Sequence, residues 1–196
     1  NDLRKDEKEA DNLVQQLKKD RKKIEGQMAE KKKEVKALNR EIQKKIEAAQ
    51  NTRKPSAGTK KDDPQDIKLS GEFANNKGKL PWPANGVLVG KFGKQYHPVF
   101  KNLELPPNEG IDIAVENGEE VKCVFDGLVL DVFVMPTYGQ CILVQHGNTY
   151  FTFYCKLGSV GVKKGDKVKT NQKLGTADIM NGTSQIHFEI WKDKVP

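Results

Sequence analysis

Along the first fifty residues a stripe steps by alternating intervals of three and four, through Ala10, Val14, Leu17, Arg21, Ile24, Met28, Lys31, Val35, Leu38, Ile42 and Lys45. That is the a/d seam of a coiled coil. Gly26 is the only helix-weakening residue in the run and the first proline is Pro55, so one helix about 50 residues long, roughly 75 Å at 1.5 Å per residue, is predicted over residues 1–50. Arg21, Lys31 and Lys45 interrupt the apolar seam, which favours a thin antiparallel or partner-dependent pairing over a strong zipper. The chain opens in mid-pattern, as if a longer coil had been cut.

Residues 51–65 combine Pro55, Gly58 and Pro64 with a Lys-Lys-Asp-Asp run, the composition of a mobile linker. Within the wider connecting segment 51–79, Ile67, Leu69 and Phe73 around Ser70 suit a short amphipathic helix or turn that docks on the downstream region and ends at Gly78. From Leu80 the period changes to short, β-branched and aromatic runs: Val87–Val89, Ile111–Ile113, Val121–Phe125, Leu128–Val134, Cys141–Val144, Tyr150–Tyr154 and His187–Trp191. Turn dipeptides separate them at about 8–12 residues, and no helical periods intervene. Residues 80–196 are therefore predicted to form an antiparallel β-sheet or sandwich, which makes the chain an α + all-β protein. The large side chains sit almost wholly in this part, so it is expected to fold without the helix.

Composition sharpens this division. The chain is 36% hydrophobic and 31% charged, an average of two unlike regions. Of its net charge of +7, residues 1–61 supply 19 Lys/Arg against 11 Asp/Glu, while the remainder is nearly balanced. Those first 61 residues contain no Phe, Trp or Tyr, so the stacking platform of a nucleic-acid groove is missing and the basicity reads as a solvated helix face. No nucleic-acid partner is expected. No run approaches 18 apolar residues, and no basic-then-apolar leader stands at the start. Cys123, Cys141 and Cys155 are odd in number and lack C-x-x-C spacing, so they read as small core residues.

Several motifs in the β region occur together: Phe92-Gly93, His97-Pro98, Gly110-Ile111-Asp112-Ile113-Ala114, Asp126-Gly127, His146-Gly147, Val162 to Val168 and His187-Phe188-Glu189-Ile190-Trp191. In this order they resemble the lysostaphin-type (LytM) zinc endopeptidase domain, and with the coil in front they resemble the murein hydrolase activators of Gram-negative bacteria. The resemblance implies the duplicated hybrid-motif β fold over residues 80–196. Active members carry H-x-G-x-D, Y-x-H-L and H-x-H-F-E motifs, because a hydrolytic zinc needs about three protein ligands, an open water position and imidazoles that orient the water.

In this chain the first motif reads Asn108-Glu109-Gly110-Ile111-Asp112, the second Tyr154-Cys155-Lys156-Leu157 and the third Gln185-Ile186-His187. Asn108 stands for a ligand histidine, and Lys156 and Gln185 stand for the two non-ligand histidines. Only Asp112 and His187 remain as vestigial ligands. Zinc hydrolysis is expected to be lost, no cofactor is expected, and zinc is the one metal an altered ligand set would hold. His97 and His146 read as structural residues. A thiol activated by its neighbour is disfavoured at Cys155, since adjacent strand residues point to opposite faces. The Lys156 ammonium is expected to stay near solvent.

The expected function is therefore a binding or regulatory one. The resemblance implies activation of peptidoglycan amidases in cell separation, in the periplasm or envelope of a Gram-negative bacterium, with the coil linking to a division-site membrane complex. Asn108, Asp112, Lys156, Gln185 and His187 are the expected groove residues, and peptidoglycan is a further expected partner. Two other classes stay open: a cell-wall zinc endopeptidase with an altered ligand set, and a structural peptidoglycan-binding protein.

Overall fold

A computed structural model of the chain describes residues 2–52, 64–180 and 182–196. The linker expected at 51–65 falls largely on residues 53–63, outside the described residues. One helix, α1, runs over Asp2–Thr52, and a second, α2, over Pro64–Asn75. Among the described residues twelve strands come after them: β1 (Val87–Gly90), β2 (Gly93–Tyr96), β3 (Glu104–Asn108), β4 (Ile111–Ala114), β5 (Glu120–Lys122), β6 (Gly127–Met135), β7 (Gly139–His146), β8 (Tyr150–Val160), β9 (Lys167–Val168), β10 (Lys173–Ala177), β11 (Ile179–Met180) and β12 (Thr183–Lys192). Among the described residues no helix is long and apolar enough to cross a membrane.

Two compact units divide the chain. The smaller holds the helix up to Ala37 together with Lys94–Pro107. In it Arg21 pairs with Glu25 one turn on, at 3.0 Å, and Val14 and Leu17 of the expected seam are exposed. Strands β2 and β3 make a two-stranded sheet of their own, bridged by Lys94 and Glu104.

The larger unit, Leu38–Gly93 with Asn108–Pro196, is built on an antiparallel sheet in the order β1-β4-β12-β8-β7-β6-β9, from which β10 branches to pair with β5 and β8. Central strands are apolar on both faces because both faces are covered. Ile142, Val144, Tyr154, Ile186 and Phe188 point into one core, while Cys141, Leu143, Phe151, Phe153, Cys155 and Trp191 alternate into the other.

The second core is closed by the last turns of α1. Leu38, Ile42 and Ile46 are at most 1% exposed and cluster with Phe151, Phe153 and Trp191. Packing therefore places these turns within the β domain, whereas residues 80–196 were expected to fold alone and the helix to end as a separate coil at residue 50. The seam also shifts there. A heptad would bring Lys45 inward, but a straight helix lying on a sheet keeps its 3.6-residue period, so Ile46 takes that place. Lys45 instead bonds Asp131 at 2.6 Å and lies 4.2 Å from the Phe133 ring centroid. The short helix expected around Ser70 is α2, with Ser70 and Phe73 buried. Its Phe73 stacks on His146 and Tyr150, and it lies so close to Gly147 (φ 79°) that a Cβ there would sit 2.2 Å from the Asp66 carbonyl.

Candidate functional site

Strand register assembles the site. In the centre of the sheet β12 pairs with β4 so that His187 faces Asp112, and with β8 so that His187 faces Cys155. Directly opposed residues share a face with Cβ atoms about 5 Å apart, and here His187 Nδ1 lies 3.1 Å from Asp112 Oδ1. Asn108 stands where β3 turns into β4: its Oδ1 accepts the Gly110 N–H at 3.1 Å, and its Nδ2 donates to Asp112 Oδ2 at 2.7 Å. Gly90 on β1 forms the wall, since a Cβ there would meet Asp112 Oδ2 at 2.4 Å and Asn108 Nδ2 at 3.0 Å. Lys156 reaches in from β8 and sets Nζ 3.1 Å from Asp112 Oδ1, its side chain only 16% exposed. The expectation that this ammonium stays near solvent is thus corrected: a bulge at Lys156 turns it into the cleft.

Behind His187 a second carboxylate completes the centre. His187, Glu189 and Trp191 alternate onto one face of β12. His187 Nε2 lies 2.8 Å from Glu189 Oε1, and Trp191 Nε1–H donates to Glu189 Oε2. Glu189 is 2% exposed. The sequence reading missed this residue as a site member, although its position two residues from His187 is the signal that places it. Next to it, Asn39 of α1 donates to Glu109, whose carboxyl pKa is raised by burial. Gln185 is half-buried on β12 opposite Ala114, beside the cluster along the strand and outside the Asp112–His187–Glu189 hydrogen bonds.

Electrostatics follow from these contacts. Burial opposes a charged His187, but its hydrogen bonds to Asp112 and Glu189 and their charges outweigh that and hold the imidazole up at about 9. Burial also raises Asp112, yet bonding to His187 and Lys156 prevails and keeps it well below the usual carboxylate range. A group with a raised folded pKa stabilises fully below its unfolded value, near 6.5, and loses that contribution as pH rises through about 9. The unfolding free energy should fall by about 3 kcal/mol across this window on account of His187. Urea unfolding at a series of pH values checks it. His187→Gln should be less stable but should lack this alkaline slope, and equal slopes in both proteins would refute the assignment. His146 works oppositely: burial lowers it to about 4, so its contribution is lost on acidification from about 6.5 towards 4.

The donor set does not fit zinc. Among the described residues no group of three or more His, Cys, Asp and Glu side chains is placed to hold a metal. Both His187 ring nitrogens face carboxylates, the Asn108 oxygen is taken by Gly110, and an ammonium occupies Asp112. The remaining histidines serve structure. His146 bonds the Asp126 carbonyl at 2.8 Å and Thr152 Oγ1 at 2.7 Å, and His97 Nδ1 accepts the Val99 and Phe100 N–H groups. All three cysteines are buried and unbridged, and burial pushes the Cys155 thiol up, away from activation.

Comparison with known proteins places this architecture. Peptidase family M23 matches residues 106–196. The chain is 32% identical over 121 residues to the cell division protein DipM of Caulobacter vibrioides, covering 60% of this chain and 19% of that protein. It is 30% identical over 112 residues to the murein hydrolase activator NlpD of Salmonella typhimurium, covering 56% and 27%. The solved structure of Helicobacter pylori Csd3 superposes with a TM-score of 0.52 at 28% identity, covering 60% of this chain and 32% of that one. The chain thus spans well under half the length of these relatives. The matched segment contains β4, β8 and β12 with Asp112 and His187, and residues 106–196 are similar to peptidase family M23.

Proposed function

We propose that the chain is a non-catalytic activator of peptidoglycan amidases, acting in the cell envelope of a Gram-negative bacterium during cell separation, with its degenerate cleft as the surface that meets the partner. The observation that carries this reading is the closed network at the cleft. Where hydrolysis would need imidazoles and a bound water, Asn108, Lys156 and Gln185 stand, and Asp112 and His187 are spent on each other and on internal donors. Such a site recognises by hydrogen bonds and shape instead of performing chemistry. The names of the relatives NlpD and DipM support the setting. The helix before Ala37 is the part proposed to link to a division-site membrane complex.

Dye release from labelled peptidoglycan tests this. The chain alone should release nothing, and added to a peptidoglycan amidase it should raise the amidase's rate. Gln185→Ala should weaken that stimulation about tenfold in half-maximal concentration, the size of one lost buried hydrogen bond, with unchanged melting, while Lys192→Ala on the exposed end of β12 should not. Chelator-sensitive release by the chain alone would replace this reading with a cell-wall zinc endopeptidase. Wall binding without stimulation of any amidase would replace it with a structural peptidoglycan-binding role.

A further inference from the structure

We infer that the Lys156 ammonium is the resident cation of this centre: a charge carried by the chain itself stands where a hydrolytic member of the fold family would hold a metal, and Asp112 and His187 are assembled around it. The inference concerns how the cleft keeps its shape and is independent of which partner docks there.

The backbone supplies the first observation. Three non-glycine residues among those described have positive φ: Lys156 (65°), Asn171 and Asp193. Asn and Asp tolerate the left-handed region because their short polar side chains bond locally, whereas a lysine is held there only by its surroundings. Lys156 lies in the interior of β8, not in a turn. Its N–H donates to the Tyr138 carbonyl at 2.7 Å, and the register of β8 shifts nearby on both sides, between Gln140 and Ile142 of β7 and between Thr176 and Ala177 of β10.

The bulge has a direct geometric result. Cys155 faces His187 across the pair of strands and shares its side of the sheet. Regular alternation would send Lys156 to the other side. The left-handed residue re-aims it, a recurring use of bulges beside sites, and Nζ comes to 3.1 Å from Asp112 Oδ1.

The charge tally supplies the second observation. Asp112 and Glu189 are two carboxylates in one half-buried to buried centre, and His187 bonds both. One imidazole stands between the two carboxylates, and an uncompensated buried charge is costly. Lys156 brings a positive charge to the centre, 3.1 Å from Asp112 Oδ1. Three side chains bond Asp112: Lys156 and His187 on Oδ1, Asn108 on Oδ2. An ammonium neutralises and positions a carboxylate as a metal would, but it has no vacant coordination position and cannot polarise a water. Such a cation holds the centre together without supplying a metal's chemistry.

A double-mutant cycle on the full chain tests this. Asparagine suits the left-handed backbone at position 156 and carries no charge. Lys156→Asn alone should lower Tm by about 4–10 °C, a few kcal/mol equivalent at this chain length, despite relieving the backbone. In an Asp112→Asn background the same substitution should be neutral or raise Tm, because the carboxylate to be balanced is gone while the backbone relief remains. A rise in Tm in both backgrounds, or the same fall in both, would overturn the inference. If Lys156→Asn fails to fold, Lys156→Ala melted with and without propylammonium gives the answer. Stabilisation by the ammonium beyond that of propanol, absent in the parent protein, supports a cation site, and equal effects of the two additives refute it. Zinc added to the parent protein should leave Tm unchanged, and a zinc-dependent rise reversed by chelator would also overturn the inference.

Discussion

Ile42→Asp is expected to unfold the β domain, although the residue lies in the helix that precedes it. Ile42 is fully buried between α1 and the sheet, in one cluster with Phe151, Phe153 and Trp191. Each of Leu38, Ile42 and Ile46 contributes about 1.5–3 kcal/mol by burial, and placing a carboxylate there adds a desolvation penalty, the neighbouring Lys45 being already paired with Asp131. The loss should exceed about 4 kcal/mol, a large part of a domain's stability. Denaturant unfolding followed by tryptophan fluorescence measures it, with Leu17→Asp as the control, since Leu17 is 44% exposed. A fragment starting at Leu80 should likewise lose cooperative unfolding, whereas one starting a turn before Leu38 should keep it. An unchanged midpoint for Ile42→Asp would show that the helix is dispensable to the core.

Glu189→Ala should cost about 3–5 kcal/mol, as removal of one member of a buried charged network does. It leaves His187 with a single carboxylate partner and takes from the Trp191 N–H the carboxylate oxygen it donates to. At this chain length the fall in Tm should be about 10 °C. Glu189→Gln keeps the volume and an acceptor for Trp191 but not the charge, so it should fall between the two. A change below about 2 °C for the alanine variant would mean that the carboxylate is not what positions His187.

Much of this molecule is legible in the chain. The long helix follows from its stripe, the strands from their apolar runs, and the departures at Asn108, Lys156 and Gln185 from the motifs that frame them. What was hidden has physical reasons. A stripe of Leu38, Ile42 and Ile46 looks alike whether a second helix or a sheet covers it, so the docking of α1 could not be read from period alone. β10 escapes notice because Gly175 interrupts its apolar run, and that glycine is needed where a Cβ would stand 2.1 Å from the Ser159 carbonyl. The reach of Lys156 depends on a bulge set by two neighbouring strands, which local sequence does not reveal. Glu189 alternates with Phe188 and Ile190 in a buried strand, and its place two residues from His187 marks it as a partner only once the strand is known to put both on one face.

A strand late in the sequence, β12, lies inside the sheet and not at its edge. β12 lies between β4 and β8, joining residues 185–188 to 111–114 and residues 187–192 to 150–155. Loop closure of this span is slow compared with local pairing, and no earlier strand substitutes for β12. The β6–β7–β8 meander can pair without it, but β1 and β4 stay detached until residues 185–188 are in place. Maturation of the fold is therefore all-or-none in time: the cleft comes into being only when β12 is inserted between β4 and β8, and a chain without residues 183–192 has the parts of the site but never the site.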